Sequence, residues 1–176
     1  DLEIYHSGNG GYIKNTTGSL IIHSERIDLQ NEAADEDMLV AKQNEGVELY
    51  YNGTKEIATV ANGVFLYGSS ASQMYASVNV SGSLTLDFNG SDHHIVSLTG
   101  NATLANPSST EKAGQSGSIF VEQDGTGSRT LAYGSNFKWA GGVAPTLSTA
   151  ANAVDRIDYI VKSLAVIHCV ISLDMK

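Results

Sequence analysis

One segment of this chain is written twice. Residues 1–24, DLEIYHSGNGGYIKNTTGSLIIHS, align without a gap on residues 46–69, GVELYYNGTKEIATVANGVFLYGS, at a constant offset of 45. Glu3, Tyr5, Gly8, Gly18 and Ser24 recur as Glu48, Tyr50, Gly53, Gly63 and Ser69. Leu2, Ile4 and Tyr12 are matched in kind by Val47, Leu49 and Ile57. A repeat at this spacing is one supersecondary unit that cannot bury its apolar face alone, and about three such units are needed for stability. The chain holds two, so the missing neighbours are most simply other copies of itself. The four recurring glycines are expected to sit in turns at positive φ.

Charged residues make up 16 % of the chain, well below the ~25 % of an ordinary globular protein. With 18 Gly and 2 Pro, the composition suits a β protein with tight turns better than a disordered linker. The net charge of −9 with only 10 basic residues argues against nucleic acid and against an anionic membrane surface, because both need clustered Lys and Arg. No apolar run approaches the ~18 residues of a membrane span, so no membrane insertion is expected. The single cysteine, Cys169 in VIHCVIS, excludes an intrachain disulfide and reads as a small core residue.

Short alternating runs are separated by turn signals: Asn9-Gly10, Asn52-Gly53, Asn62-Gly63, Asn89-Gly90 and Asp124-Gly125. Such pairs favour the backbone angles of hairpin turns. Alternation is clearest at Val78, Val80, Leu84, Leu86 and Phe88. It returns at Ile157, Tyr159 and Val161, then at Ile167, Cys169, Ile171, Leu173 and Met175, with a turn over 162–165. Period two places each set on one strand face. The acidic stretch 32–37 reads as a charged hairpin loop between strand ends at Ile27/Leu29 and Met38/Val40. The Ala-rich 149–154 is too short to nucleate a helix. The fold class is therefore all-β. Residues 1–72 form a two-copy repeat region with little core, and residues 73–176 form a unit with about eight strands, as in a β-sandwich or jelly roll.

The phrase VELYYNGTKEIATVANGVFLYG (47–68) resembles segments of tail-fibre proteins of tailed bacteriophages, the marine type above all, and DLEIYHSGNGGYIKNTTGSLII (1–22) is similar to a second such phrase. SLTLDF (83–88), LTGNATLANP (98–107), AGQSGSIFVEQDGTG (113–127) and APTLSTAANAVDRIDYIV (144–161) resemble the end domain of such fibres. The resemblance implies a homotrimeric virion fibre, on tail or capsid, assembled in the bacterial cytoplasm. It further implies an intertwined stem and a distal β-rich knob that meets a glycan or protein of the host surface. Asp1 begins inside a strand-like pattern without Met, so the chain reads as the C-terminal piece of something longer, with other virion proteins bound through the part before it. A purely architectural capsid-fibre or baseplate role is the first alternative and glycan hydrolysis the second.

Three constellations could carry chemistry. His93 and His94 are adjacent, so on a strand they face opposite ways and do not share a metal. They read as hydrogen-bonded neutral histidines in a loop after Asn89-Gly90, and no His/Cys spacing suits zinc. Glycan-cleaving enzymes need two acids flanking the scissile bond. Asp35, Glu36 and Asp37 lie on a charged loop, and Asp155 and Asp158 point to opposite faces of a strand, so all five read as solvated surface. No nucleophile elbow or phosphate loop appears, so neither an enzyme nor a cofactor is expected. The third is Tyr133-Gly-Ser-Asn136-Phe137-Lys-Trp139. Aromatic faces stack on sugars while Asn bonds hydroxyls, which makes Tyr133, Asn136, Phe137 and Trp139 the candidate ligand-binding residues. The plainer reading is that Trp139 closes the end of the core.

Overall fold

The computed structural model describes residues 2–72, 74–108 and 111–176, with the backbone alone at Ala76, Ser77 and Val78. It is all-β: among the described residues there are strands, turns and one 3-10 turn, and no α-helix. Contacts divide it into two compact units, Asp1–Ser70 and Ala71–Lys176.

In the first unit β1 (Leu2–His6) pairs antiparallel with β2 (Gly11–Asn15). A separate meander runs β3 (Arg26–Gln30), β4 (Asp37–Lys42), β5 (Gly46–Tyr51), β6 (Thr54–Val60) and β7 (Gly63–Leu66), each strand antiparallel to the next. The acidic stretch is the β3–β4 loop. Asn31 organises it, its Oδ1 accepting the N–H groups of Asp35 and Glu36 at 3.2 and 3.3 Å. Asn52 and Gly53 turn β5 into β6 with φ of 51° and 71°, the mirror-image turn that matches strand twist.

Both repeat copies make hairpins, but not the same one. Ile4 faces Ile13 in the first, whereas Leu49 faces Ile57 in the second, one residue off the equivalent pairing. Turn and bulge set this together: four residues separate His6 from Gly11 and two separate Tyr51 from Thr54, and the bulge between Leu49 and Tyr50 takes back one of those two. Gly8, Gly18 and Gly53 hold positive φ as expected, and Gly63 does not.

The meander has one apolar face and one charged face. Leu29, Leu39, Leu49, Ile57 and Leu66 stand directly opposite one another, one from each strand, in an unbroken aliphatic row. Ile27, Ala41, Val47 and Val64 extend that face, and Leu29, Leu49, Val64 and Leu66 are all exposed. Behind it run Asp28, Val40, Glu48, Ala58 and Phe65. Here Glu48 gathers Lys55, the Tyr50 hydroxyl at 2.7 Å and Lys42 at 4.0 Å. Beneath these side chains Val40 and Ala58 are buried.

The second unit contains β8 (Met74–Leu84), β9 (His93–Leu104), β10 (Ser116–Gln123), β11 (Leu131–Tyr133), β12 (Phe137–Lys138), β13 (Val154–Ser163) and β14 (Val166–Ser172). They form one mixed sheet. β8, β10 and β11 run parallel to β9, and β12 runs parallel to β14; β10–β13 and β13–β14 are antiparallel. The expected jelly roll of two antiparallel sheets is therefore corrected. Alternation reports which side chains share a face, but not whether the next strand runs parallel.

The parallel pair β8–β9 is joined by residues 85–92 alone. A straight β9 would span ~36 Å over its eleven residue steps, while the nine steps from Leu84 back to His93 reach at most ~32 Å. The ribbon must bend. Register shifts fall between Tyr75/Val78 and Val80/Gly82, and a Cβ on Gly100 would lie 2.9 Å from that of Ser81. Around this corner β9 changes neighbours, from β10 at 93–98 to β11 at 102–104.

One face of the curved sheet carries the core: Val96, Leu98, Ile119, Val121, Ile157, Tyr159, Val161, Ile167 and Cys169. Connecting segments cover it, contributing Leu86, Phe88 and Leu147. The even-position alternation thus continues past β8 into the 85–92 link; the side chain of Val78 lies outside the described ones. Leu173 and Met175 lie beyond the end of β14 and are exposed. Phe88 meets Tyr159 edge to face at 5.1 Å, and the Tyr159 hydroxyl donates to the Asp92 carbonyl at 2.9 Å.

Candidate functional site

Residues 131–139 tie β9 to β14. Gly134 donates its N–H to Leu104 at 2.7 Å, and Ile167 donates to the Asn136 carbonyl at 2.9 Å. The Asn106 carboxamide supports the turn, its Oδ1 accepting the Asn136 N–H at 2.8 Å and its Nδ2 donating to the Ser135 hydroxyl at 3.1 Å.

This segment brings the four candidate residues together but aims most of them inward. Phe137 is 5 % exposed and belongs to the core. The expectation of a solvent-facing stacking ring at Phe137 is thereby corrected: the β12–β14 pairing turns its side chain onto the covered face of the sheet. Tyr133 and Trp139 pack against the same core, their rings edge to face at 4.7 Å. The Tyr133 hydroxyl and the Trp139 indole nitrogen are buried without a hydrogen-bond partner. Burial pushes the Tyr133 phenol well above its ordinary range, with Asp155 and Cys169 adding to the effect. Asn136 is half-buried, and its backbone N–H and carbonyl are both engaged.

One wall remains open. Trp139 lines a hollow of about 350 Å³ with Lys138, Ala140, His168, Cys169 and Val170. Lys138, His168 and Val170 are exposed. An aromatic edge, an ammonium and an imidazole around one hollow can take an apolar ring face while bonding its hydroxyls. In the sequence His168 stands isolated, thirty residues from Lys138, and nothing local joins the two. The β12–β14 pairing, Lys138 opposite His168, is what joins them.

A second, more polar cleft of about 430 Å³ is lined by Ser72, Phe88, Asn89, Gly90, Ser91, Asp92, Lys112 and Gln115. Gln115 donates to Asp92 at 2.8 Å and to the Phe88 carbonyl at 2.7 Å, and Ser72 donates to Asp92 at 3.1 Å.

The two histidines do face opposite ways, but they open β9 and do not lie in a loop. His93 Nδ1 accepts the Ser118 N–H at 3.2 Å on the outer face, while His94 is buried in the core face with neither ring nitrogen bonded. Asp155 is likewise not the solvated acid expected. It is buried, with Oδ2 accepting the Ser148 N–H and Oδ1 that of Asp174. Asp158 lies on the outer face beside Arg156 at 3.0 Å. Among the described residues no group of three or more His, Cys, Asp or Glu could hold a metal ion.

Comparison with known families gives one finding. A family described as "Putative phage tail fibre C-terminal domain" matches residues 72–162, just over half of the chain. Neither the curated proteins nor the solved structures give a match.

Proposed function

Because the chain belongs to the phage tail fibre C-terminal domain family, a component of the virion, we propose that it is a non-enzymatic fibre tip that assembles as a homotrimer and binds a host-surface glycan. The observation that carries the assembly is the aliphatic row Leu29, Leu39, Leu49, Ile57 and Leu66, one residue from every strand of the meander. A face of that kind left in water is an association surface, and the twofold repeat calls for further copies of the same unit.

Host contact is assigned to the hollow beside Trp139, where Lys138 and His168 present charge and hydrogen-bonding groups around an aromatic edge. Three such sites on one trimer, each weak, would act together through avidity. Asp155, the one buried aspartate among the described residues, has each oxygen on a backbone N–H, an anchoring arrangement and not that of a glycosidic acid–base pair.

Light scattering on the intact chain tests the assembly: a particle of three 18.6 kDa chains is expected, and a folded monomer overturns it. Lys138→Ala combined with His168→Ala should weaken adsorption to host cells while leaving the trimer intact. Undiminished adsorption would favour the architectural fibre or baseplate role, and release of reducing sugar from host polysaccharide would favour a hydrolase.

A further inference from the structure

His94 breaks an otherwise apolar pattern. The pairing registers place Tyr75, His94, Ile119, Ile157 and Ile171 directly opposite one another across five strands of the second unit. Four of the five are hydrocarbon or aromatic; the fifth is an imidazole 1 % exposed, with both ring nitrogens unpartnered. A buried polar group without a partner costs stability. An apolar side chain would suit this row better, and a break of a local rule of this kind is expected at functional or strained sites.

The surroundings say what the imidazole controls. A small cavity of about 120 Å³ lies beside it, walled by Tyr75, Ile95 and residues Leu84, Thr85, Leu86 and Asp87. The last three of these belong to the link that returns the chain from β8 to β9. That link turns at Asp87–Gly90, where the Gly90 N–H donates to the Asp87 carbonyl at 3.3 Å, and it sits on His94 through Phe88, whose ring lies 5.6 Å away. Phe88 and the next four residues, Asn89 to Asp92, line the polar cleft.

We propose that His94 is an acid-responsive trigger beneath the 85–92 link: when it takes up a proton the link lifts from the sheet and the polar cleft comes apart. A charged imidazole in this row would have only the Ser91 backbone of the link to bond, which does not offset its burial. The link is the part that can yield, since it contributes two buried apolar side chains, Leu86 and Phe88, with the small Ser91, and no strand pairing of its own. Among the described residues, the groups around the ring come from four strands and the link. Tyr75 on β8 lies 6.2 Å away and Ile119 on β10 is apolar. Asp87 and Asp92 on the link favour the proton and His93 on β9 opposes it. Tyr159 on β13 is reached only through Phe88. Burial outweighs these charges and the nearby Ser91 backbone and holds the His94 imidazole below its ordinary range.

The sign follows. A histidine depressed in the closed state stays neutral there, while in the open state it titrates near 6.5. The closed state is therefore fully stable above ~6.5, and the open population rises by up to tenfold for each pH unit below it, until the closed-state value is reached.

The test is hydrogen exchange on the intact chain at pH 7.5 and pH 5.0, corrected for intrinsic rates, together with a nitrogen-detected titration of the imidazole. Protection of the amides in 85–92 should fall about tenfold or more, and His94→Phe should abolish that fall. Equal protection at the two pH values, or the same loss in His94→Phe, overturns the proposal. If His94→Phe does not fold, the titration decides alone: an imidazole protonating at or above 6.5 in the native chain overturns it, and one protonating below 6.5 as the 85–92 amides lose protection sustains it.

Discussion

Asp155 holds Asp174: the Oδ1 of the first accepts the backbone N–H of the second at 2.8 Å, nineteen residues along the chain. Its Oδ2 accepts the Ser148 N–H at 2.7 Å, and Met175 donates to the Val154 carbonyl at 2.7 Å. One buried carboxylate thus ties the segment before β13 and the segment after β14 to the start of β13. Asp155→Ala leaves two backbone donors without their acceptor, at a cost of about 1–3 kcal/mol. Urea denaturation of the intact chain should show that loss, with faster amide exchange at 148 and 174. Asp158→Ala, on the outer face beside Arg156, should cost well under half as much.

Phe137→Ala should behave as a core deletion. The ring is in the central cluster, and truncating a buried phenylalanine costs about 3–5 kcal/mol. The melting temperature should drop sharply, and any lost adsorption should follow the lost fold. Phe137→Leu, which keeps most of the volume, should restore most of the stability and the adsorption together. Adsorption lost in Phe137→Leu at parental stability would return the ring to the binding surface.

Residues near in sequence were readable because their chemistry is local. Asn52-Gly53 supplied its hairpin turn, and Ile157, Tyr159 and Val161 fell on one buried face because period two is a property of the strand itself. What the pattern could not carry was the partner of each strand. The parallel run of β8, β9 and β10 depends on registers such as Tyr75 opposite His94 and Ile119 opposite His94, which no short window contains. The same holds at the candidate site. Phe137 sits among Ser, Asn and Lys, so its surroundings look like a wet loop; its burial is decided by Ile167, thirty residues on. Asp155 looked like surface because its two partners are the backbone of residues 148 and 174, which carry no side-chain signal.

Cys169 should be silent to thiol reagents in the native chain. Burial pushes its thiol up to about 12, the Lys138 backbone opposing in part. An exposed cysteine near 8.5 would gain most of its thiolate between pH 7 and pH 9. Labelling of the native chain should therefore stay slow at pH 9 and track unfolding when urea is added. Rapid native labelling that rises with pH would place the thiol in contact with solvent.

The aliphatic row of the meander gives the prediction on which the assembly stands. Leu49 is at its centre, opposite Leu39 on one side and Ile57 on the other. It is 39 % exposed in the single chain, so a lysine there costs little in an isolated sheet, where the ammonium reaches water. In an assembled stem the same charge would have to leave water without a partner, at a cost of several kcal/mol. Leu49→Lys should therefore dissociate the particle with the strands retained, seen as a fall in mass by light scattering with an unchanged far-ultraviolet circular dichroism spectrum. Thr54→Lys, at an exposed turn end of β6, is the control and should assemble as the parent does. If Leu49→Lys keeps the parental mass, the apolar face is not the association surface, and the copies meet elsewhere.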